Sequence, residues 1–178
     1  TQVDVSSELS GALAEVLVGF NDRVEVGQVL ARLDDSKLAD QVLTATAQLQ
    51  AARASLAQAE AAAREAEVTY ESQSELDKRG QSTRLKMIAA EVSRDKAQAV
   101  VDGAKASVAL AEAGLSAAET DMGKTTIRSP ISGVVLNRAA EPGQIVAASL
   151  NAPVLFTLAE DLARMELRVD VDEADIGR

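Results

Sequence analysis

The chain has 178 residues, of which 47% are hydrophobic but only 2% aromatic, with no Trp, one Tyr and two Phe. A compact core takes much of its buried area from large aromatic side chains, so this composition points to an elongated molecule. The net charge of −10, with no basic stripe interleaved with aromatics, excludes nucleic-acid binding, which needs local positive charge. The chain has no Cys and no His, which removes thiolate and imidazole metal ligands, thiol nucleophiles and imidazole bases. No catalytic residue, metal or cofactor is expected.

No apolar run approaches the ~20 residues of a membrane span, and no signal peptide is visible. Both ends read as cut: Thr1 lies almost inside a β segment, and Arg178 closely follows an alternating segment, Met165–Val171. The chain reads as a fragment, weakly assembling or monomeric at dilute concentration.

From Ser10 to Leu33 the residues alternate like strands, punctuated by Gly11, Gly19, Asn21-Asp22 and Gly27. The period then changes. Leu38, Val42, Ala45, Leu49, Ala52, Leu56, Ala59, Ala63, Ala66 and Tyr70 recur in steps of four and three, an unbroken heptad seam. Asp34, Asp35 and Ser36 supply N-cap chemistry at its start. The seam fades near Lys78–Thr83, where Gly80 ends one helix and Ser82 or Thr83 caps the next.

The pattern resumes with Leu85, Ala89, Val92, Ala99, Ala106, Leu110, Ala113 and Ala117; Lys96 and Gly103 interrupt this stripe, and Met122-Gly123 closes it. Two arms of roughly 40 residues, at 1.5 Å per residue, predict an antiparallel coiled-coil hairpin about 60 Å long. β-type sequence returns at Thr125–Pro130 and runs to Leu158.

The second β segment resembles the first. Ser10-Gly11-Ala12-Leu13 answers to Ser132-Gly133-Val134-Val135, and Val26-Gly27-Gln28-Val29-Leu30 to Pro142-Gly143-Gln144-Ile145-Val146. Each half is too small to bury a core alone, so the halves are expected to pack together with the hairpin projecting from a loop. The expected fold is therefore α+β and elongated. Residues 9–33 and 125–159 form a composite β domain, 34–124 form the α-hairpin with its tip near 78–83, and residues 162–178 start something else.

Several sharper readings compete with plainer ones. Lys37 follows a stretch superficially like a lipoyl-carrier hairpin, but the helical seam begins at Leu38, which makes Lys37 an ordinary solvated lysine of the first turn. Asp170, Asp172, Glu173 and Asp175 lack a Gly-containing twelve-residue calcium loop and read as the solvent side of a strand. Ser10, Ser129 and Ser132 sit beside Gly or Pro and, without His, read as turn residues.

The split β motif, with Ile127-Arg128-Ser129-Pro130-Ile131-Ser132-Gly133-Val134-Val135 following a coiled coil, resembles the periplasmic adaptors, or membrane fusion proteins, of the HlyD family. Pro142–Val146 and Ala152–Ala159 look most like its MacA-type branch. Val171–Gly177 is similar to the first strand of that family's β-barrel domain. The resemblance implies that the composite domain of 9–33 and 125–159 is biotinyl/lipoyl-like and that 162–178 start a truncated β-barrel domain. It implies a non-enzymatic adaptor in the periplasm, tethered to the inner membrane. It implies a hexameric ring joining an inner-membrane transporter, ABC rather than RND, to a TolC-like outer-membrane channel.

The resemblance also implies site residues. Many members carry Arg, Leu and Ser around the hairpin turn; the Leu position is Leu76, the Ser position is Thr83, and the Arg position is Ser72, a departure. Arg79, Gly80 and Arg84 complete the expected tip. Gln144 matches a glutamine that narrows the pore of MacA-type rings. Two other classes stand against this reading: a structural coiled-coil protein, and a lipoyl or biotin carrier modified at Lys37.

Overall fold

The computed structural model describes residues 2–148 and 153–160. The chain divides into two compact units, Thr1–Asp34 with Lys124–Arg178, and Asp35–Gly123.

Among the described residues the first unit has strands and no helix. Its strands are β1 (Gln2–Ser6), β2 (Gly11–Val16), β3 (Arg23–Val24) and β4 (Val29–Leu33) before the helices. After the helices come β5 (Thr126–Arg128), β6 (Gly133–Arg138), β7 (Ile145–Val146) and β8 (Val154–Ala159). They form two four-stranded antiparallel sheets, in the orders β1-β8-β6-β3 and β5-β4-β2-β7.

The strand pairing turns the sequence resemblance into an internal duplication. β2 pairs with β4 of its own half and with β7 of the other; β6 pairs with β8 of its own half and with β3 of the other. Gly11 faces Val146 where Gly133 faces Val24. The Leu13 N–H donates to the Gln144 carbonyl at 2.9 Å, and the Val135 N–H to the Asp22 carbonyl at 3.0 Å.

Each half thus lends its middle strand to the other's sheet. One core receives Leu13, Leu30 and Leu33 from the first half and Val135, Leu155, Phe156 and Leu158 from the second. Apolar burial of this kind contributes roughly 25 cal/mol per Å², and neither half could collect it alone.

β1 lies ahead of the expected start of the β domain at residue 9. Gln2–Ser6 pairs along β8 and places Val5 in the core. Residues 162–178, expected to begin a β-barrel, lie outside the described residues.

The second unit is an antiparallel helix pair, α1 (Ser36–Lys78) and α2 (Arg84–Gly123). On α1 every seam residue from Leu38 to Tyr70 is buried or half-buried, as the heptad requires. Asp35 stands at the N-cap, but its side chain makes no cap bond; its carbonyl accepts the Ala39 N–H at 2.8 Å.

On α2 the expected seam is on the wrong face. Leu85, Ala89, Val92, Ala99, Ala106, Leu110, Ala113 and Ala117 are all exposed, Leu85 by 78% and Leu110 by 77%. The face against α1 is Met87, Ala90, Arg94, Ala97, Val101, Ala104, Val108, Ala111, Leu115 and Ala118, all buried or half-buried. The two stripes share a heptad period but run two residues out of step, which at 3.6 residues per turn places them on opposite faces.

The choice between the stripes has a physical reason. The rejected one would press Lys96 and Gly103 into the seam. The chosen one carries Met87, Val101, Val108 and Leu115, and its polar member is accommodated. The Arg94 guanidinium stacks over the Tyr70 ring at 4.1 Å and bonds Asp95.

A candidate docking site on the hairpin, and the turns of the β unit

The helix pair turns in five residues, 79–83. Gly80 adopts φ +69°, open to glycine at no steric cost. Its N–H donates to the Asp77 carbonyl at 2.9 Å, and the next N–H, of Gln81, reaches the Leu76 carbonyl at 2.8 Å. This pair of bonds is the Schellman ending, which satisfies carbonyls that a helix end otherwise leaves bare. Thr83 begins α2 as expected: its hydroxyl accepts the Lys86 N–H at 3.4 Å and its carbonyl those of Lys86 and Met87. The Ser82 hydroxyl crosses to Gln73 Oε1 on α1 at 3.2 Å, tying the turn to the opposite helix.

This geometry presents a small mixed surface. Leu76 is 36% exposed on the last turn of α1. Arg79 and Arg84 are exposed on either side of the turn, and so is Ser72. Glu75 gathers the local cations, with Lys78 Nζ at 2.9 Å and the Arg79 guanidinium at 3.9 Å. The Glu75 hydrogen bond holds the Lys78 ammonium above its ordinary pKa. All these groups are solvated, so the pairs orient side chains more than they stabilise the fold. Ile88 was missed by the sequence reading. It is 46% exposed and joins Leu85, Ala89 and Val92 around a shallow depression closed by Ser93 and Lys96. Its signal was present, three residues after Leu85, but the stripe had been read as inward-facing.

Gln144 lies in the β unit, in a turn built three times over. In Glu141–Gln144 the Gln144 Oε1 accepts the Glu141 N–H at 3.1 Å, with Gly143 at φ +83°. In Gly19–Asp22 the Asp22 carboxylate accepts the Gly19 N–H at 2.7 Å, with Asn21 at φ +66°. In Glu25–Gln28 the Gln28 Oε1 accepts the Glu25 N–H at 2.9 Å, with Gly27 at φ +80°. Each turn has a left-handed third residue and a fourth side chain that braces the first amide. Gln144 is exposed; its side-chain carbonyl oxygen is committed to the turn, and the amide NH₂ takes no part in that bond.

The remaining sequence candidates find structural duties. Lys37 is the second residue of α1, exposed, and not at a β-turn. The Ser10 hydroxyl accepts the Ala148 N–H, the Ser132 hydroxyl accepts the Val26 N–H, and the Ser129 hydroxyl donates to the Ile131 carbonyl. Among the described residues no group of three or more Asp or Glu is placed to hold a metal ion. No helix among them is long and apolar enough to cross a membrane. The acidic set at 170–175 lies outside the described residues.

Comparison with known proteins agrees with this architecture. Residues 1–158 match the family model described as RND MFP, barrel-sandwich hybrid domain. The macrolide export protein MacA of Escherichia coli O157:H7 is 31% identical over 175 residues, 98% of this chain and 47% of that protein. The pyoverdine export membrane fusion protein PvdR of Pseudomonas aeruginosa is 30% identical, over 99% of this chain and 45% of that protein. The crystal structure of MacA from Actinobacillus actinomycetemcomitans superposes with a TM-score of 0.85 at 27% identity, covering 97% of this chain and 53% of that one. The chain spans about half the length of these relatives. With the duplicated β unit, the inserted helix pair and these likenesses together, the chain belongs to the membrane fusion protein family, a family of adaptors rather than enzymes, and is MacA-like.

Proposed function

We propose that this chain is the central part of a periplasmic adaptor in a tripartite efflux or secretion system. In this reading the full protein is anchored to the inner membrane and assembles as a hexamer. It links an inner-membrane transporter to a TolC-like outer-membrane channel and performs no covalent chemistry. The observation that carries the proposal is the interrupted duplication. Two β halves share one core, while the chain between them, from Asp35 to Gly123, forms a separate helix pair ending in a well-capped turn. A β unit needs no such insertion to fold, so the helix pair is available for a role of its own.

The tip residues Leu76, Arg79, Gly80, Thr83 and Arg84 form the channel-docking surface in this proposal. Ser72 replaces the family arginine and cannot offer its charged, multi-donor contact, so Arg79 and Arg84 provide the cations there. Gln144 narrows the pore of the ring through its amide NH₂. The family model's description carries the RND label, whereas the likeness to MacA supports an ABC transporter as the inner-membrane partner.

Leu76→Asp in the full-length protein tests the docking surface. The Leu76 side chain sits at an exposed helix end and its capping bond is made by backbone. We therefore expect unchanged helicity and a loss of export of about tenfold or more, as expected when a buried apolar anchor of an interface is replaced by a charge. Normal export by a folded Leu76→Asp protein would remove the tip from the docking surface.

A further inference from the structure

The apolar preference of α2 changes sign along its length. From Val101 onward the face turned to α1 carries Val101, Val108 and Leu115, while the opposite stripe offers Gly103, Ala106 and Leu110. Between Arg84 and Ala97 the order reverses. There the inward face holds Met87, Ala90, Arg94 and Ala97. Leu85, Ile88 and Val92 stay outside it, 78%, 46% and 44% exposed. Burial of aliphatic surface alone would favour turning these three inward. α1 offers little apolar surface to oppose that: beyond Tyr70 its half-buried members are Gln73 and Ser74. The end of the hairpin nearest the turn therefore keeps its setting against its own local hydrophobic preference.

The layer at the changeover is polar. The Arg94 guanidinium lies 4.1 Å from the centre of the Tyr70 ring. Its Nε and Nη2 donate to Asp95 Oδ1 at 3.0 Å and 2.8 Å. The Arg94 side chain is only 29% exposed, so most of it is withdrawn from water. A planar guanidinium laid on an aromatic face and held by a carboxylate has a narrow choice of orientation. Turning α2 about its axis would slide the cation off the ring and strand it beside an apolar seam, which is costly. A polar residue in a helix seam characteristically fixes the setting of the helices at some expense of stability. Tyr70 is also the chain's one tyrosine and the last member of the α1 heptad, so the ring stands where the apolar seam ends.

We propose that Arg94, clasped over Tyr70, is a positioning residue for docking. It holds residues 84–97 of α2 in the rotational setting of the rest of that helix, and so aims Arg84 and the turn at the partner. The proposal rests on the adaptor reading for that partner. It separates the groups that touch the partner from the pair that orients them.

This chain lacks cysteine, so single thiols report the setting. In the full-length protein, Ala90→Cys reads the end near the turn, with Met87→Cys as a parallel reporter, and Ala104→Cys reads the seam farther from it. Each is followed by its rate of reaction with a charged maleimide. Tyr70→Leu keeps an apolar seam but removes the ring. It is expected to speed reaction at 90 and 87 by about tenfold, the order that a partly desolvated cation–π contact supports, to leave 104 unchanged, and to lower export severalfold. Tyr70→Phe keeps the ring face and is expected to match the parent in both readouts. Arg94→Ala is expected to act like Tyr70→Leu, and the two together to do no more than either alone. Unchanged reaction at 90 and 87 in Tyr70→Leu would overturn the proposal. So would additive effects in the double variant, or a Tyr70→Phe protein as reactive as Tyr70→Leu, because either makes the pair ordinary seam packing. An equal rise at 104 would mean that the whole hairpin opens, and full export despite the released thiols would mean that the setting does not serve docking; each overturns the proposal too. The thiol readings need no partner, so normal export by Leu76→Asp beside released thiols and lost export in Tyr70→Leu would remove Leu76 from the docking surface and leave the clasp standing.

Discussion

Three residues show how little side chain this β unit spends on its turns. Asp22, Gln28 and Gln144 each close their turn by accepting the amide three residues back, and Asn21, Gly27 and Gly143 take the left-handed third position. For Gln144 this separates the turn bond it makes from the pore role proposed for it. Gln144→Glu keeps an acceptor for the Glu141 N–H, as Asp22 does in the equivalent turn, but removes the NH₂ donors. We expect its unfolding midpoint to stay within about 0.5 kcal/mol of the parent, an ordinary surface effect, while export through the assembled ring changes. Unchanged export would assign Gln144 to the turn alone. Gly133 is constrained differently: a Cβ there would run into the Ala159 backbone carbonyl on β8. Gly133→Ala should destabilise the β unit by about 1–3 kcal/mol, read as a shifted denaturation midpoint.

At the scale of elements, the two helices differ in how plainly their sequences speak. α1 has one apolar heptad, so its seam could be read directly, and Leu49 and Ala59 are buried where that heptad places them. α2 has two of the same period, and periodicity alone does not rank them; their content does, with Lys96 and Gly103 in one and Met87, Val101, Val108 and Leu115 in the other. Arg94 lies off the stripe read from the sequence; Tyr70, twenty-four residues away and across the turn, gives its guanidinium a place in the seam. The turn between the helices was legible because Gly80 and Thr83 carry chemistry specific to helix ends. β1 was not, because five residues reading Gln-Val-Asp-Val-Ser alternate too briefly, and their partner β8 lies some 150 residues on. The exposed Gly103 gives a direct test at this scale. Gly103→Ala should stabilise the helix pair by about 1 kcal/mol, measured by chemical denaturation of the isolated hairpin signal at dilute concentration. A loss of stability would mean that the glycine serves the fold of α2 itself.

For the whole molecule, the internal duplication was visible as two similar segments, Val26–Leu30 and Pro142–Val146. The strand pairing aligns them differently. β7 answers to β3 rather than to the start of β4, so Gln144 is the structural equivalent of Asp22 and not of the identical Gln28. Sequence similarity found the repeat, and the hydrogen-bond ladder set its register. The exchange of middle strands makes the two halves interdependent, so a chain interrupted by 89 residues of helix pair still closes one β core. That arrangement is the physical basis for reading the inserted helix pair as serving a role apart from the β fold. The most direct measurement is in-cell crosslinking from a photoreactive residue at position 76 of the full-length protein, followed by identification of the captured partner. Capture of an outer-membrane channel is the expected result. Capture of further copies of this protein alone would contradict the account and make the hairpin a device for self-assembly.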